Sequence, residues 1–181
     1  MWPWLIAGAI LLWLIRGAHT TIGQSTVPQL PGAAGIVQTV GLMRAMTNSA
    51  IDHPLIRQHA ARATEHVTRG DGRTAAVAIG EWVRARMRYV PDPLRKENLT
   101  SPAVVAQAIA DGKKVFGDCD DMAMYVAAMS KSIGLQPIFH AVGRRGRFHH
   151  VYTEVAGIPI DPTEQFGKQP FQASRRLSVK V

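Results

Sequence analysis

The chain has 181 residues, 46% hydrophobic and 19% charged, which suffices for one globular domain with extra segments. A single cysteine excludes an internal disulfide and a multi-cysteine zinc site. The net charge of +8 suits anionic partners such as nucleic acid, anionic lipid or cell-wall polymers. We expect no specific nucleic-acid partner, because the basic residues are not interleaved with aromatic ones and form no nucleic-acid motif.

The first segment, residues 1–16, predicts a hydrophobic helix. Its uncharged run WPWLIAGAILLWLI would cover about 21 Å as a helix, short of a ~30 Å hydrocarbon core. Trp2, Trp4 and Trp13 stand near its ends, where interfacial aromatic residues occur. Three interpretations stay open: a membrane anchor, a signal-peptide core, or a helix buried against partner subunits. We therefore expect a membrane-anchored or virion-associated protein and leave the side of the envelope open.

Residues 17–41 are rich in Gly, Thr, Gln and Pro, which indicates a linker between the hydrophobic segment and the body. Residues 42–69 carry scattered apolar positions and three histidines. These histidines are too widely spaced for a metal site, so we expect solvated positions on a helix. They are His53, His59 and His66.

Two helices are predicted before the cysteine. Residues 74–88 carry an amphipathic pattern with arginines on the solvated side, and the prolines at 91 and 93 end it. Ser101 and Pro102 fit the N-cap and first position of a second helix, which ends near Gly112.

A third helix is predicted to begin after Asp118, with Cys119 in its first turn and a cap at Gly134. Three strands follow, at residues 137–142, 148–155 and 158–161, separated by turns. The expected fold is therefore α+β, with the cysteine-bearing helix packed on a small antiparallel sheet. The tail, residues 166–181, is polar and basic and has no strong pattern.

Cys119, His150 and Asp161 follow one another in the order that a thiol nucleophile needs. The free N–H groups and positive dipole of a helix start stabilise a thiolate. In a strand, His149 and His150 point to opposite faces, so only one can face the cysteine. A hairpin places Asp161 beside the base, where a carboxylate orients the imidazole.

The motifs GDCDDMA (117–123), HHVYTEV (149–155) and IDPT (160–163) resemble the transglutaminase-like cysteine hydrolase superfamily. Weaker matches are WVRARMRYVPD (82–92) and the helix opened by Ser101 and Pro102. The resemblance implies a papain-like catalytic domain over residues 42–165, followed by the basic tail.

The same resemblance implies Cys119 as nucleophile, His150 as base and Asp161 as orienting acid. No cofactor is required, although acidic residues flanking the cysteine bind calcium in one related group of bacterial peptidases. Asp118 and Asp120 are the corresponding candidates here. Asp120 stands where animal transglutaminases have tryptophan, which favours hydrolysis over crosslinking.

The predicted function is a cysteine-dependent amide hydrolase, a peptidase or cell-wall amidohydrolase that works through a thioester acyl-enzyme. Its expected partners are a protein or peptidoglycan peptide substrate, and a membrane or virion assembly reached through the first helix. Two alternatives remain. One is a structural component of a phage tail or membrane assembly, and the other is a transglutaminase that forms isopeptide crosslinks.

Overall fold

The computed structural model describes residues 24–28, 32–92, 96–144, 147–163 and 173–181, and these form five helices and eight strands. Helices α1 to α5 span Gly32–Ala50, Pro54–Ala63, Gly72–Arg86, Pro102–Ala110 and Cys119–Ser132. Strands β1 to β8 span Gln24–Pro28, Met87–Tyr89, Lys96–Thr100, Val115–Gly117, Ile138–Arg144, Arg147–Val155, Ile158–Ile160 and Arg175–Lys180. The predicted α+β class is confirmed.

The largest sheet is antiparallel, with four strands in the order β7-β6-β5-β8. Two small sheets accompany it: β2 pairs with β4 in parallel, and β1 pairs with β3 antiparallel. The pairing of β2 with β4 brings the end of α3 beside the start of α5, because β2 follows α3 directly and β4 ends two residues before Cys119.

Helix α5 is the centre of the molecule, and every residue from Asp120 to Ser130 is buried. Met122, Tyr125 and Met129 pack into a cluster with α2, α3 and α4. Ala123 and its neighbours pack on the other side, against α1 and the four-stranded sheet. A helix buried on all sides is held in place by its whole surroundings. Its first residue, Cys119, is therefore fixed relative to the sheet.

Side chains cap the helices that the sequence predicted. Asp71 accepts a hydrogen bond from the N–H of Thr74 and opens α3, and Ser101 accepts one from Ala103 and opens α4. The Asp118 carboxylate accepts the N–H groups of Asp120 and Asp121 at the start of α5. Such caps satisfy donors that have no partner inside the helix, which is why the starts of α4 and α5 agree with the predicted ones. Helix α3 begins two residues before the predicted start at Thr74 and ends at Arg86, because Met87–Tyr89 forms β2.

Two regions carry more regular structure than expected. The predicted linker overlaps β1 and the first half of α1, a helix that buries Val40, Met43 and Met46 at helical spacing. The predicted patternless tail contains β8, which pairs with β5 along six residues. Leu177, Val179 and Val181 alternate with polar residues and pack against the core, so the pattern typical of a half-buried strand is present in this part of the sequence.

The expected membrane anchoring needs correction. In the ranges that the structure describes, no helix is both long and apolar enough to cross a bilayer. The segment from which that expectation came, residues 1–16, lies outside the described residues.

Candidate active site

Cys119 is the first residue of α5 and is half-buried. The chain reaches it through Gly117, the last residue of β4. A Cβ at Gly117 would come within 2.8 Å of the Cβ of Asp121 and 3.0 Å of Met87 Cε. Only glycine fits this close approach, so Gly117 lets the strand run directly into the cysteine helix.

His150 and Asp161 form a hydrogen-bonded pair between the imidazole Nε2 and the carboxylate Oδ2. His150 lies in β6, and Asp161 follows β7, the neighbouring strand of the hairpin. Both side chains are about one-fifth exposed, which leaves the pair reachable from solvent. Since Asp161 engages Nε2, the other ring nitrogen, Nδ1, is available to accept a proton.

A β-bulge separates the two adjacent histidines. Val142 pairs with His150, whereas Gly143 pairs with Phe148, so His149 is an extra residue in β6. His149 is exposed, and its Nε2 lies 3.3 Å from the Arg144 carbonyl oxygen. His150 contacts Asp161, whereas His149 contacts the Arg144 carbonyl, and that His150 is the histidine facing Cys119 stays a prediction.

The cysteine and the histidine strand meet at Val151. Its backbone N–H donates a hydrogen bond to the Cys119 sulfur, so the residue that follows His150 touches the thiol. The strand is tied to α5 a second time by Thr153, whose hydroxyl donates to the Ala123 carbonyl at 2.8 Å. The structure thus brings together the helix start and the strand that carry Cys119 and His150.

The expectation of a resting thiolate at Cys119 is wrong. Burial raises the pKa of this thiol well above its ordinary value, and the charges of Asp120 and Asp118 raise it further. The N–H groups expected to stabilise the anion are taken, since those of Asp120 and Asp121 bond the Asp118 carboxylate. The thiol itself lies 3.5 Å from Asp120 Oδ1 as a donor. Cys119 is therefore a neutral thiol at rest.

Asp118, Cys119 and Asp120 each offer one ligand atom within 4.8 Å of one another and could hold a metal ion. Two carboxylates and a sulfur fit calcium poorly, because calcium takes six to eight oxygen ligands. One oxygen of Asp118 is also engaged in capping α5. Calcium at Asp118 and Asp120 stays a prediction, and no chemical step is derived from it.

Asp121, which was not among the predicted site residues, is a buried acid in the first turn of α5, two residues after Cys119. Burial raises its pKa to about 7, although the Thr100 N–H donates to its Oδ1 at 2.7 Å and favours the charged form. Nothing in the motif distinguishes Asp121 from Asp120. Only the helical periodicity, which turns position 121 toward β3 and β4, could have indicated its burial.

The prediction for His59 is also wrong. This residue is 2% exposed, and its Nδ1 lies 2.6 Å from the Tyr125 hydroxyl. It packs on Trp82 with ring centroids 4.8 Å apart. Burial lowers the pKa of His59, so the neutral ring belongs to the core. His66, by contrast, is solvated as expected.

Comparisons of the chain with protein-family models, with curated proteins and with solved structures found no match. The resemblance to transglutaminase-like hydrolases therefore stays a prediction from three short motifs, and so does a papain-like arrangement of the core.

Proposed function

We propose that the protein is a cysteine-dependent amide hydrolase with a papain-like or transglutaminase-like catalytic core. The observation that carries the proposal is the His150–Asp161 pair on the strand whose next N–H bonds the sulfur of Cys119. A base oriented by a carboxylate, beside a thiol at a helix start, is the arrangement that acyl transfer through a thioester requires.

In the acylation step, His150 Nδ1 takes the thiol proton as the Cys119 sulfur attacks the carbonyl carbon of the substrate amide. The proton moves during attack, because the neutral thiol is the resting form. The tetrahedral intermediate collapses when the C–N bond breaks and His150 returns the proton to the leaving amine. The products of this step are a free amine and a thioester on Cys119.

The oxyanion of the intermediate needs donors near the sulfur. The backbone N–H of Cys119 is one, since it is the first residue of α5 and has no partner within the helix. The Tyr89 hydroxyl is the second. Burial raises the pKa of Tyr89, and charges on Cys119, Asp118, Asp120 and Asp161 raise it further. The phenol thus lies close to the site and keeps its proton for donation.

In the deacylation step, water attacks the thioester while His150 accepts its proton. The C–S bond breaks, the carboxylic acid leaves, and the proton returns to the Cys119 sulfur. An amine that takes the place of water would instead form a new amide. The transglutaminase reaction therefore differs from hydrolysis only in the nucleophile of this second step.

The proposal is tested with p-nitrophenyl acetate, a small ester that acylates reactive thiols. We expect a burst of p-nitrophenol, and intact-mass spectrometry showing one acetyl group on Cys119 that is lost with time. Cys119→Ala should remove both signals. Acetylation of lysines alone would contradict the proposal, and transfer of the acetyl group to added glycine methyl ester in preference to water would favour the transglutaminase.

One observation favours a second candidate, a binding protein that keeps the fold without catalysis. The raised pKa of Cys119 means that little of the thiol is ionised near neutral pH. This candidate predicts that neither Cys119→Ala nor His150→Ala changes any measurable turnover. It also predicts that Cys119→Ala lowers the melting temperature, because the half-buried side chain would then serve packing alone.

A further inference from the structure

A groove of about 810 Å³ opens beside the candidate site, between the end of α3, strands β2 and β4, and the turn after α4. Tyr89 and Pro162 belong to its wall, and Pro162 directly follows Asp161. The groove therefore lies next to Asp161 of the proposed triad, although none of the three triad residues belongs to its lining. Its lining contains five basic residues and, within the described chain, no acidic one. The basic residues are Arg84, Arg86, Arg88, Lys113 and Lys114.

Three of these cations stabilise the fold around the groove. Arg84 and Arg86 lie in the last turn of α3, where positive charges stabilise the helix end. Arg86 also packs over the Trp82 ring at 3.9 Å, and Lys113 is paired with Asp111 at 2.9 Å. Their presence in the groove wall therefore says little about a ligand.

Arg88 and Lys114 have no such role at a helix end. Both are exposed and lie outside the helices, Arg88 in β2 and Lys114 just before β4. Two large exposed aromatic side chains accompany them in the groove wall: Tyr89, 49% exposed, and Phe116, 56% exposed. Exposed aromatic rings beside exposed cations are typical of a surface that binds a ligand.

The charge changes sign at the cysteine end. Asp118, Asp120 and Asp161 all act on the nearby Tyr89 hydroxyl, so carboxylates surround the reacting atoms while cations line the groove. A ligand that fits must be negative along the groove and neutral at the sulfur. A nucleic acid carries one charge per phosphate and would bring phosphates against these carboxylates. A peptide can carry separated charges with a neutral amide between them.

We infer that the groove binds the acidic part of a peptide substrate, with its glutamate or aspartate side chains set back from the amide that is cleaved. This inference rests on the proposed function, because it specifies the substrate of the same site. Arg88 and Lys114 make the charge contacts, and Phe116 supplies apolar contact to the peptide.

Binding is measured on the full chain carrying Cys119→Ala, which cannot form an acyl-enzyme. The probes are a fluorescein-labelled peptide rich in glutamate and the same peptide with every glutamate replaced by glutamine. We expect the glutamate peptide to bind more tightly, and the difference to shrink as salt is added.

Arg88→Gln and Lys114→Gln in that background should each weaken glutamate-peptide binding about two- to five-fold, as expected for exposed ion pairs. The affinity for the glutamine peptide should stay the same. Arg44→Gln is the matched control, because Arg44 is exposed on α1 and does not line the groove. Melting temperatures confirm that all variants fold.

Equal binding of the two peptides would overturn the inference, as would a loss of affinity in Arg44→Gln equal to that in the groove variants. Tighter, groove-dependent binding of single-stranded oligothymidylate would overturn it in favour of nucleic acid. Failure of the proposed function would give a different result. If the wild type binds the glutamate peptide selectively but forms no acyl-enzyme, the peptide-binding groove is supported and the proposed hydrolase activity is contradicted.

Discussion

The four-stranded sheet carries two histidine–carboxylate pairs, and they differ in what lies next to them. His150, which pairs with Asp161, directly precedes Val151, the residue whose N–H contacts the sulfur of Cys119. His140 Nε2 lies 3.2 Å from the Glu154 carboxylate, and its Nδ1 lies 2.8 Å from the Ser178 hydroxyl. By residue type the second group, serine with histidine and glutamate, also resembles a catalytic triad.

The two histidine groups differ in their surroundings. His140 is 6% exposed and packs on Tyr152, its register partner, with ring centroids 5.1 Å apart. Ser178 lies inside the β5–β8 ladder, opposite His140, and not at a helix start. A hydrogen-bonded triplet alone is therefore weak evidence for catalysis. The position of Cys119, at a helix start and near a groove, is the stronger support for the proposed reaction.

The difference between the two histidine groups is tested most directly by replacing each histidine with alanine. His150→Ala should lower turnover about 10²- to 10⁴-fold, the contribution of a positioned base, and Cys119→Ala should abolish turnover. Both should leave the melting temperature nearly unchanged. His140→Ala is the matched control and should retain activity. Equal losses in the two histidine variants would show that the sheet, and not His150, supports the reaction.

Asp161→Asn probes the orienting acid. The amide keeps the shape of the side chain but cannot stabilise an imidazolium, so we expect turnover to fall about 10²-fold or more with little change in KM. Steady-state kinetics on a small ester measure the change. If instead only KM rises, Asp161 contributes to binding and the assigned role is wrong.

The sequence indicated the residues of the candidate site better than it indicated the burial and charge around them. Asp118, Cys119 and His150 stand in local patterns, a helix cap and a strand, that depend on neighbours along the chain. The raised pKa of Cys119 depends on burial and on carboxylates placed by tertiary packing, which local patterns do not report. The groove is assembled from α3, β2, β4 and the turn after α4, segments that only the fold brings together.

The buried side chain of Asp121 should make the free energy of unfolding fall as pH rises. The pKa of Asp121 rises from 3.8 to about 7 on folding, so the native state holds its proton more tightly. Stability from this group is present below pH 3.8 and is lost as pH approaches 7, by up to ~4 kcal/mol. Asp121→Asn should therefore gain stability over the wild type at pH 8, relative to pH 4.

Urea unfolding at the two pH values measures the difference. Asn can keep the hydrogen bond from the Thr100 N–H, so the comparison isolates the charge. A constant difference between variant and wild type across this range would mean that Asp121 is not held neutral by burial.

His140 should affect the pH dependence of the unfolding free energy less than Asp121 does, and with the opposite sign. Burial lowers the pKa of His140 from 6.5, opposed by the Glu154 charge. The folded state thus binds a proton less readily than the unfolded one. Stability from this group is present above pH 6.5 and is lost as pH falls below it. His140→Ala should cost about 1–2 kcal/mol at pH 8, because Ser178 and Glu154 lose a partner.

Between pH 7 and pH 5, the change in unfolding free energy of the same variant should lie on the stabilising side of the wild-type change. Asp121 and His59, whose pKa values are also displaced by burial, contribute to the remaining pH dependence. Urea unfolding at both pH values is again the measurement. A His140→Ala protein with wild-type stability and lost activity would reverse the roles assigned to the two groups.

The most direct test of the central claim, that His150 activates Cys119, is the rate of Cys119 alkylation by iodoacetamide as a function of pH. We expect a thiol that titrates above its ordinary range in the wild type, and a rate at neutral pH that falls at least about tenfold in His150→Ala. His140→Ala should match the wild type. If losing His150 leaves the alkylation rate unchanged at every pH, the base does not reach the thiol and the proposed mechanism is wrong.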